Sequence, residues 1–313
     1  MEYVPLKITT VKANTSLTFD LYIYFKDHYL CYANKGIEIG EDKLEKLIKQ
    51  EVADFYVPAT QVDNVTIFMD ESLKQAVYGD GISDEDRASV VSGVISTSLE
   101  HMNENPTEKN YEMTKKAARG LREVISKNPL MLKRLFGKKG KESERIIDHS
   151  LNVCALATKL AEHLKLSDSE IEDIATASLI HDIGLTKLPP EAVKLFEKPT
   201  EEFTPEEKLK YGQHSKISVD FLAEKPFISK AVENLIINHE ENLQGTGPLK
   251  VRKLTPAMEC ISLVNAYDKR IISHNETPAQ AFKAFQIEFI GMYNLELLQR
   301  FEVVLKEEGL LDS

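Results

Sequence analysis

The chain has 313 residues, of which 42% are hydrophobic and 28% are charged. These fractions exclude a disordered, collagen-like or disulfide-scaffold protein, and the length corresponds to roughly two domains. The 39 Lys and Arg residues stand against 50 Asp and Glu residues, so the formal net charge is −11. An acidic surface repels a polyphosphate backbone, which argues against a nucleic acid polymer as partner. A small phosphorylated ligand needs only a local basic or metal site.

The three cysteines, Cys31, Cys154 and Cys260, are widely scattered. They give no disulfide framework and no cysteine-type zinc site, so a reducing cytoplasm is the expected setting. The first residues lack the apolar run of a signal peptide, and no stretch reaches the ~18 apolar residues of a membrane span. We therefore expect a cytoplasmic protein without a membrane partner.

The chain up to about residue 70 is predicted to form a small α/β module. Residues 17–25 alternate between apolar and polar side chains, which predicts a half-buried strand with Phe25 on its apolar face. A turn leads to a second strand at residues 29–33. Residues 41–50 have helical spacing, and residues 54–58 are predicted to form another strand.

Helical periodicity takes over after this module, with predicted helices at residues 71–78, 84–102 and 108–126. A short apolar piece, residues 130–136, runs into a basic, glycine-bearing linker at residues 137–143, where we place the domain boundary. This divides the chain into domains at residues 1–136 and 144–313. The expected class is α+β, with a small α/β module followed by an all-helical bundle.

Strong start signals recur in the second half. Ser167 with Glu170 and Thr204 with Glu207 form capping boxes, and Thr255-Pro256 opens another helix. Gly184 is expected to stop a helix. Five helices are predicted in this half. Two have predicted bounds, residues 145–164 and 171–183, and the other three begin after Pro205, at Ile228 and at Pro256.

Polar residues occupy the apolar faces or the ends of all five helices. A lone histidine on such a face is most often a core residue with one hydrogen bond, and a His-Asp pair at a helix end is commonly a cap. Five separate buried polar groups would each need a partner, whereas one metal centre satisfies them all. We therefore predict that these residues hold metal: His149, His181, Asp182, His214, His239, Asn265 and Asp268.

Four imidazoles with carboxylate or amide oxygens are too many ligands for one tetrahedral zinc. They suit two octahedral first-row ions bridged by a carboxylate or hydroxide, with Asp182 as the natural bridging and catalytic residue. A hydroxide between two such ions can attack phosphorus. Metal-assisted phosphoester hydrolysis is the chemistry that this pattern predicts.

The motifs follow a fixed order along the chain: His149, His181-Asp182-Ile183-Gly184, His214, and Asn238-His239-Glu240 followed by Gly245-Thr246-Gly247-Pro248. Over roughly residues 144–300 this series resembles the HD-GYP branch of the HD metal-dependent phosphohydrolases. The resemblance implies a helical bundle with two or three metal ions, often iron or manganese. It also implies hydrolysis of the bacterial messenger cyclic di-GMP, and a variable N-terminal regulatory domain, here residues 1–136.

The sequence departs from the family pattern at its metal site. Asn238 stands where the family has histidine, and Asn265 where it has aspartate, although Asp268 lies one turn further on. Arg145 replaces a glutamate that supports a third ion in some members, so two ions are expected. Amides in place of charged or imidazole ligands weaken metal binding without abolishing it.

Substrate contacts of the family are missing as well. The signature tyrosine is absent between Gly247 and Pro248, and Leu185 replaces a phosphate-contacting lysine, with Lys187 two positions on. The family's downstream arginine has no clear match. Nearby basic residues are candidates to bind the substrate in their place, the alternative being a solvated basic face: Lys250, Arg252, Lys253 and Arg270.

Three functions remain open on the sequence. The first is a phosphodiesterase of cyclic di-GMP or a related cyclic nucleotide. The second is a weak or inactive scaffold that binds metal and a nucleotide or protein partner. The third is a phosphohydrolase of a nucleoside monophosphate or simple phosphate ester. The aromatic strand with Tyr22, Tyr24 and Phe25 is either a partner surface or plain sheet core.

Overall fold

The computed structural model describes residues 2–128, 131–136 and 145–311. Contacts divide the chain into two compact units, Met1–Asn128 and Pro129–Ser313. The expected linker at residues 137–143 lies outside the described residues. Helices make up 65% and strands 8% of the structure, which confirms a small antiparallel sheet followed by a mostly helical domain.

The first unit is built on a four-stranded antiparallel sheet in the order β1-β4-β2-β3. Its buried face carries Leu6, Leu21 and Phe55, which are fully inaccessible to solvent. The strands are β1 (Tyr3–Lys7), β2 (Leu21–Phe25), β3 (His28–Ala33) and β4 (Asp54–Pro58), and the helices are α1 (Glu41–Lys49), α2 (Val62–Tyr78), α3 (Asp84–Glu104) and α4 (Glu108–Lys127).

The sheet differs from the predicted one in two respects. Strand β1 was not predicted, because its proline and lysine break the alternation of a half-buried strand. The prediction that Phe25 faces the core is wrong: the side chain is 55% exposed at the end of the β2–β3 hairpin. The tyrosines of the sheet pack on one another instead, with the rings of Tyr3 and Tyr29 stacked at 4.1 Å.

The second unit is helical. Both predicted capping boxes form, and Pro256 is the first residue of its helix with Thr255 as N-cap. None of the described helices is both long enough and apolar enough to cross a bilayer. The helices are α5 (Met131–Phe136), α6 (Arg145–His163), α7 (Asp168–Ile180), α8 (Pro190–Val193), α9 (Pro205–Tyr211), α10 (His214–Leu222), α11 (Lys230–Asn238), α12 (Pro256–His274), α13 (Pro278–Glu288) and α14 (Leu295–Glu307).

Two of the helix ends that differ from prediction lie beside a histidine. Helix α7 ends at Ile180, so His181 and Asp182 follow it rather than complete it. The helix predicted after Pro205 is two helices, α9 and α10, and His214 is the first residue of the second. In both places the histidine ring bonds to a backbone carbonyl three residues earlier, which competes with continuation of the helix.

Gly184 was predicted to stop a helix. It lies instead in a 3-10 turn at Ile183–Lys187. Its backbone N–H donates to Ser218 Oγ at 2.9 Å, and that hydroxyl donates to the carbonyl of His181 at 2.7 Å. A Cβ atom at position 184 would lie 2.6 Å from the backbone nitrogen of Ser218 and still closer to the carbonyl oxygen of His214. Only glycine allows α10 to pack this closely against the residues that follow α7.

We expect Gly184→Ala to destabilise the protein by about 1–3 kcal/mol, because the added methyl group meets rigid backbone. Thermal or urea unfolding measures the change. Gly40→Ala is the matched control, since position 40 has negative φ and open space for a methyl group. Equal stability of the two variants would show that α10 can move away from Gly184 without cost.

Candidate metal centre

Four histidines from separate helices converge on the carboxylate of Asp182. His149 lies on α6, His181 follows α7, His214 begins α10 and His239 follows α11. All four rings and Asp182 are buried, and the ligand atoms form two groups within 4.8 Å, one with His149 and His181 and one with His214 and His239. Asp182 belongs to both groups. The sequence therefore identified residues that the fold brings together.

Three of the rings are fixed by the same local hydrogen bond. Each donates its Nδ1–H to the backbone carbonyl three residues earlier: His181 to Ser178 at 2.8 Å, His214 to Tyr211 at 2.6 Å and His239 to Ile236 at 2.6 Å. These carbonyls belong to the last turns of α7, α9 and α11, where the helix has no partner for them. The bond fixes the tautomer, so that the neutral ring presents its lone pair at Nε2.

The ring of His149 is fixed by a carboxylate instead. Its Nδ1–H donates to Asp268 Oδ2 at 2.7 Å, and Asn152 donates to the other oxygen of Asp268 at 3.0 Å. Asn265 lies at the opposite edge of the ring, with Oδ1 2.9 Å from His149 Nε2. The amide nitrogen of Asn265 donates to the carbonyl of His239, which sets its orientation. Asn265 therefore lies on the Nε2 side of the His149 ring, which faces the other histidines and Asp182, and Asp268 lies on the opposite, Nδ1 side.

Asp182 presents one oxygen to each histidine pair. Its Oδ2 lies 3.6 Å from His149 Nε2 and 3.4 Å from His181 Nε2, while Oδ1 lies 3.2 Å from His214 Nε2 and 3.4 Å from His239 Nε2. Within the described residues, the buried Oδ1 has no hydrogen bond of acceptable geometry. A carboxylate so placed is suited to share its oxygens between two cations.

The donor set fits divalent ions. The Nε2 atoms are 3.2 Å apart in the His149–His181 pair and 2.9 Å apart in the His214–His239 pair. Two nitrogens bound to one ion at about 2.1 Å and at right angles to each other are about 3 Å apart. Facing lone pairs at this separation repel, and a shared cation removes the repulsion. The orphaned Asp182 oxygen provides the charge that such a cation requires.

Burial and charge act in opposite directions on the ionisable groups. Burial lowers the pKa of His181 to about 3. Burial alone would raise the pKa of Asp182, but in the metal-free protein the surrounding imidazoles can carry protons, and their positive charge holds that pKa well below its ordinary value. Burial likewise opposes protonation of His149, yet the Asp268 carboxylate raises its pKa. Burial would raise the pKa of Glu240, but Lys269 and the imidazoles lower it to about 2. The centre thus holds carboxylates in their charged form.

The predicted substrate-binding residues lie in two environments. Arg252 and Lys253 are exposed on the segment between α11 and α12. Arg270 is buried on α12 and forms ion pairs with Glu276, at 2.9 Å, and with Glu288. Its guanidinium is therefore already neutralised by two carboxylates. The role of Arg252, Lys253 and Arg270 in substrate binding stays a prediction.

The departures from the family motifs have structural counterparts. Leu185 is buried in an apolar cluster with Phe196 and Phe203, and Lys187 lies over the ring of Phe221 at 4.2 Å. Asn238 donates back to the carbonyl of Asn234 on its own helix, at 2.8 Å. Arg145 forms an ion pair with Glu197, so its charge is balanced locally.

Three side chains at the centre were not among the predicted site residues, although Glu240 belongs to a motif that the sequence analysis singled out. Glu240 places Oε1 3.8 Å from His214 Nε2 and 3.9 Å from His239 Nε2. Lys269 donates to Glu240 at 3.3 Å, and Tyr211 lies beneath its ammonium group. The signal for Lys269 was available, because positions 265, 268 and 269 share one face of a helix. Tyr211 had no such signal, since its place depends on the break between α9 and α10.

The helical fold with this cluster of histidines and aspartate defines an HD-type domain. A family model described as HD domain matches residues 95–255, which is just over half of the chain. The chain belongs to the HD domain family. The matched region ends before α12, so the placement of Asn265 and Asp268 rests on the geometry alone.

Proteins similar to this chain include one named enzyme and one solved structure. A protein named cyclic di-GMP phosphodiesterase PA4108, from Pseudomonas aeruginosa, is 27% identical over 188 residues, which is 51% of this chain and 44% of that protein. The chain thus spans less than half the length of this relative. The solved structure of Bd1817, a HDG"Y"P protein from Bdellovibrio bacteriovorus, matches with a TM-score of 0.77 at 23% identity, over 97% of this chain and 100% of that one. These likenesses confirm the HD-GYP resemblance, and the second shows the shared fold.

The low pKa of Glu240 predicts a pH dependence of the metal-free protein. A carboxyl group whose pKa falls from 4.5 to about 2 on folding stabilises the fold above pH 4.5, and loses that contribution as the pH falls towards 2. The expected contribution at pH 7 is about 3 kcal/mol. We expect Glu240→Gln to be less stable than the native protein at pH 7 and equally stable near pH 2.

Urea unfolding across this pH range measures the effect, and Glu206→Gln, at a highly exposed site on α9, is the control. A constant difference between the native protein and Glu240→Gln at every pH would contradict the assignment.

Proposed function

We propose that the protein is an HD-GYP-like, metal-dependent phosphodiesterase that acts on cyclic di-GMP or a related cyclic nucleotide through two divalent ions. The observation that carries the proposal is the shared carboxylate of Asp182, which offers one oxygen to each of two histidine pairs. The likeness to a protein named as a cyclic di-GMP phosphodiesterase supports the choice of substrate.

The ligand assignment follows from which ring atom each residue faces. The Nε2 atoms of the four histidines and the carboxylate of Asp182 would hold the ions. Asn265 Oδ1 would join the first pair, because it lies on the Nε2 side of His149. Asp268 faces Nδ1 of the same ring, and its role would be to orient His149 and to raise its basicity. Nitrogen and oxygen donors of this kind suit octahedral iron or manganese.

When bound, divalent ions make water nucleophilic at neutral pH and neutralise charge on phosphoryl oxygens. The chain itself fixes four imidazoles in one tautomer, through three backbone carbonyls and Asp268, before any ligand arrives. Burial of the histidines and Asp182 keeps bulk water away from these groups. Rigid and dry ligands of this kind reduce the reorganisation that a phosphoester reaction requires.

A metal-stabilised scaffold is the second candidate. It is favoured by the apolar burial of Leu185 and by the ion pairs of Arg270, which leave two expected phosphate contacts unavailable. In that case the N-terminal unit would pass a signal to a protein partner without turnover. A setting in the cytoplasm stays a prediction under both candidates.

The deciding experiment measures metal content and hydrolysis of cyclic di-GMP on the same preparation. We expect two ions per chain by elemental analysis, and conversion to pGpG or GMP. Asp182→Ala should lose both ions and all turnover, whereas Asp220→Ala, at an exposed site on α10, should lose neither. Two ions without turnover would refute cyclic di-GMP as the substrate and favour the scaffold. One ion per chain would refute the shared-carboxylate arrangement.

The two residues of α12 should respond in opposite directions. Asn265→Asp places a carboxylate on the Nε2 side of His149 and should raise metal affinity, because a charged oxygen is a stronger ligand than an amide. Asp268→Asn replaces the carboxylate behind His149 with a neutral amide and should lower metal affinity about 10–100-fold. Competition with a chelator measures both. If Asp268→Asn had no effect while Asn265→Asp weakened binding, the two assignments would be wrong.

A further inference from the structure

A lysine lies beside the proposed metal ligands, on the helix that carries two of them. Lys269 follows Asp268 directly and is four residues after Asn265, so all three share one face of α12. The side chain of Lys269 is only 6% exposed. An ammonium group is rarely buried to this extent unless partners stabilise it, and its surroundings therefore indicate its role.

The ammonium group of Lys269 has two kinds of contact within the described structure. It donates to Glu240 Oε1 at 3.3 Å, and it lies 3.7 Å from the centroid of the Tyr211 ring. Asn265 Nδ2 donates to the same glutamate oxygen at 3.3 Å. An ammonium group carries three donors, and these contacts engage one with a carboxylate and one with an aromatic face. A third donor remains for an acceptor beside the centre.

The hydroxyl of Tyr211 is a second buried polar group near the centre, and it lacks a hydrogen-bond partner within the described residues. Tyr211 is 4% exposed, and its buried Oη has no hydrogen-bond partner within the described residues. Burial raises the pKa of Tyr211 well above the ordinary value, and the charges of Glu240 and Asp182 add to the effect, so the hydroxyl stays protonated and can donate. Leaving such a group without a partner is destabilising, so a purely apolar role is better served by phenylalanine.

We propose that Lys269 and the Tyr211 hydroxyl form an anion-binding position next to the metal centre, which takes a phosphoryl oxygen of the substrate. The ammonium group supplies charge and the phenol supplies a directed donor. Both come from described side chains that adjoin the second histidine pair: Tyr211 packs at 4.6 Å against the ring of His214, and Glu240 connects Lys269 to His214 and His239.

This position rests on the proposed function for the identity of its ligand, a phosphoester. It supplies a cation to the phosphate from α12. Position 185, directly after the His-Asp-Ile-Gly motif, cannot supply one, because Leu185 is an apolar core residue. Glu240 lowers the net charge at the position, and it also keeps the ammonium group in place. The position therefore binds an anion only together with the positive charge of the ions.

The test uses the full-length, metal-loaded protein and inorganic phosphate as the probe, titrated by calorimetry, with metal content measured for every variant. We expect Lys269→Met to weaken phosphate binding at least about tenfold and Tyr211→Phe to weaken it about three- to tenfold, both with unchanged metal content. Lys216→Met, which removes the same group from an exposed site on α10, should bind phosphate as the native protein does.

Three results would overturn the proposal: native affinity for phosphate in Lys269→Met, loss of metal in that variant, or no phosphate binding by the metal-loaded native protein. The second of these would show that Lys269 only supports the metal ligands. Tyr211→Phe keeps the assay decisive if Lys269→Met does not fold, because it removes a single unpartnered hydroxyl. Phosphate binding that depends on Lys269, without hydrolysis of cyclic di-GMP, would leave this position established and refute the proposed activity on cyclic di-GMP.

Discussion

The centre depends on one repeated interaction, the hydrogen bond from an imidazole Nδ1–H to an oxygen that the fold holds in place. In His181, His214 and His239 the acceptor is a carbonyl of a last helical turn, three residues back along the chain. The bond satisfies an acceptor that the helix leaves free, and it points Nε2 away from the helix. Because the three helices end near one another, their rings meet at Asp182.

The same helix ends favour positive charge. The C-terminal end of a helix carries a partial negative charge, and three such ends adjoin a site that also holds the buried carboxylate of Asp182. Burial of a carboxylate costs several kcal/mol unless a counter-charge is present. The imidazoles lower its pKa but leave one oxygen without a hydrogen bond in the described structure. A fold of this kind favours cation binding before any particular ion is considered.

The sequence was informative where periodicity and residue type coincide, and uninformative where the answer depends on a helix end. Histidines on or directly after apolar stripes identified the cluster, and the capping boxes identified the N-caps of α7 and α9. The break between α9 and α10 was not predictable from periodicity, and with it Tyr211 was missed. Asn265 and Asp268 were indistinguishable, since helical spacing puts both on one face but does not say which ring nitrogen of His149 each one meets.

Charge balance supports the proposal of two ions. Around the four imidazoles, the described carboxylates of Asp182, Glu240 and Asp268 stand against the single ammonium group of Lys269. One divalent ion would leave this group of charges about neutral, whereas two would leave it positive. An anionic phosphodiester is attracted only by the second arrangement, and burial makes that attraction stronger than it would be in water. The shared carboxylate and the buried lysine are thus two parts of the same electrostatic requirement.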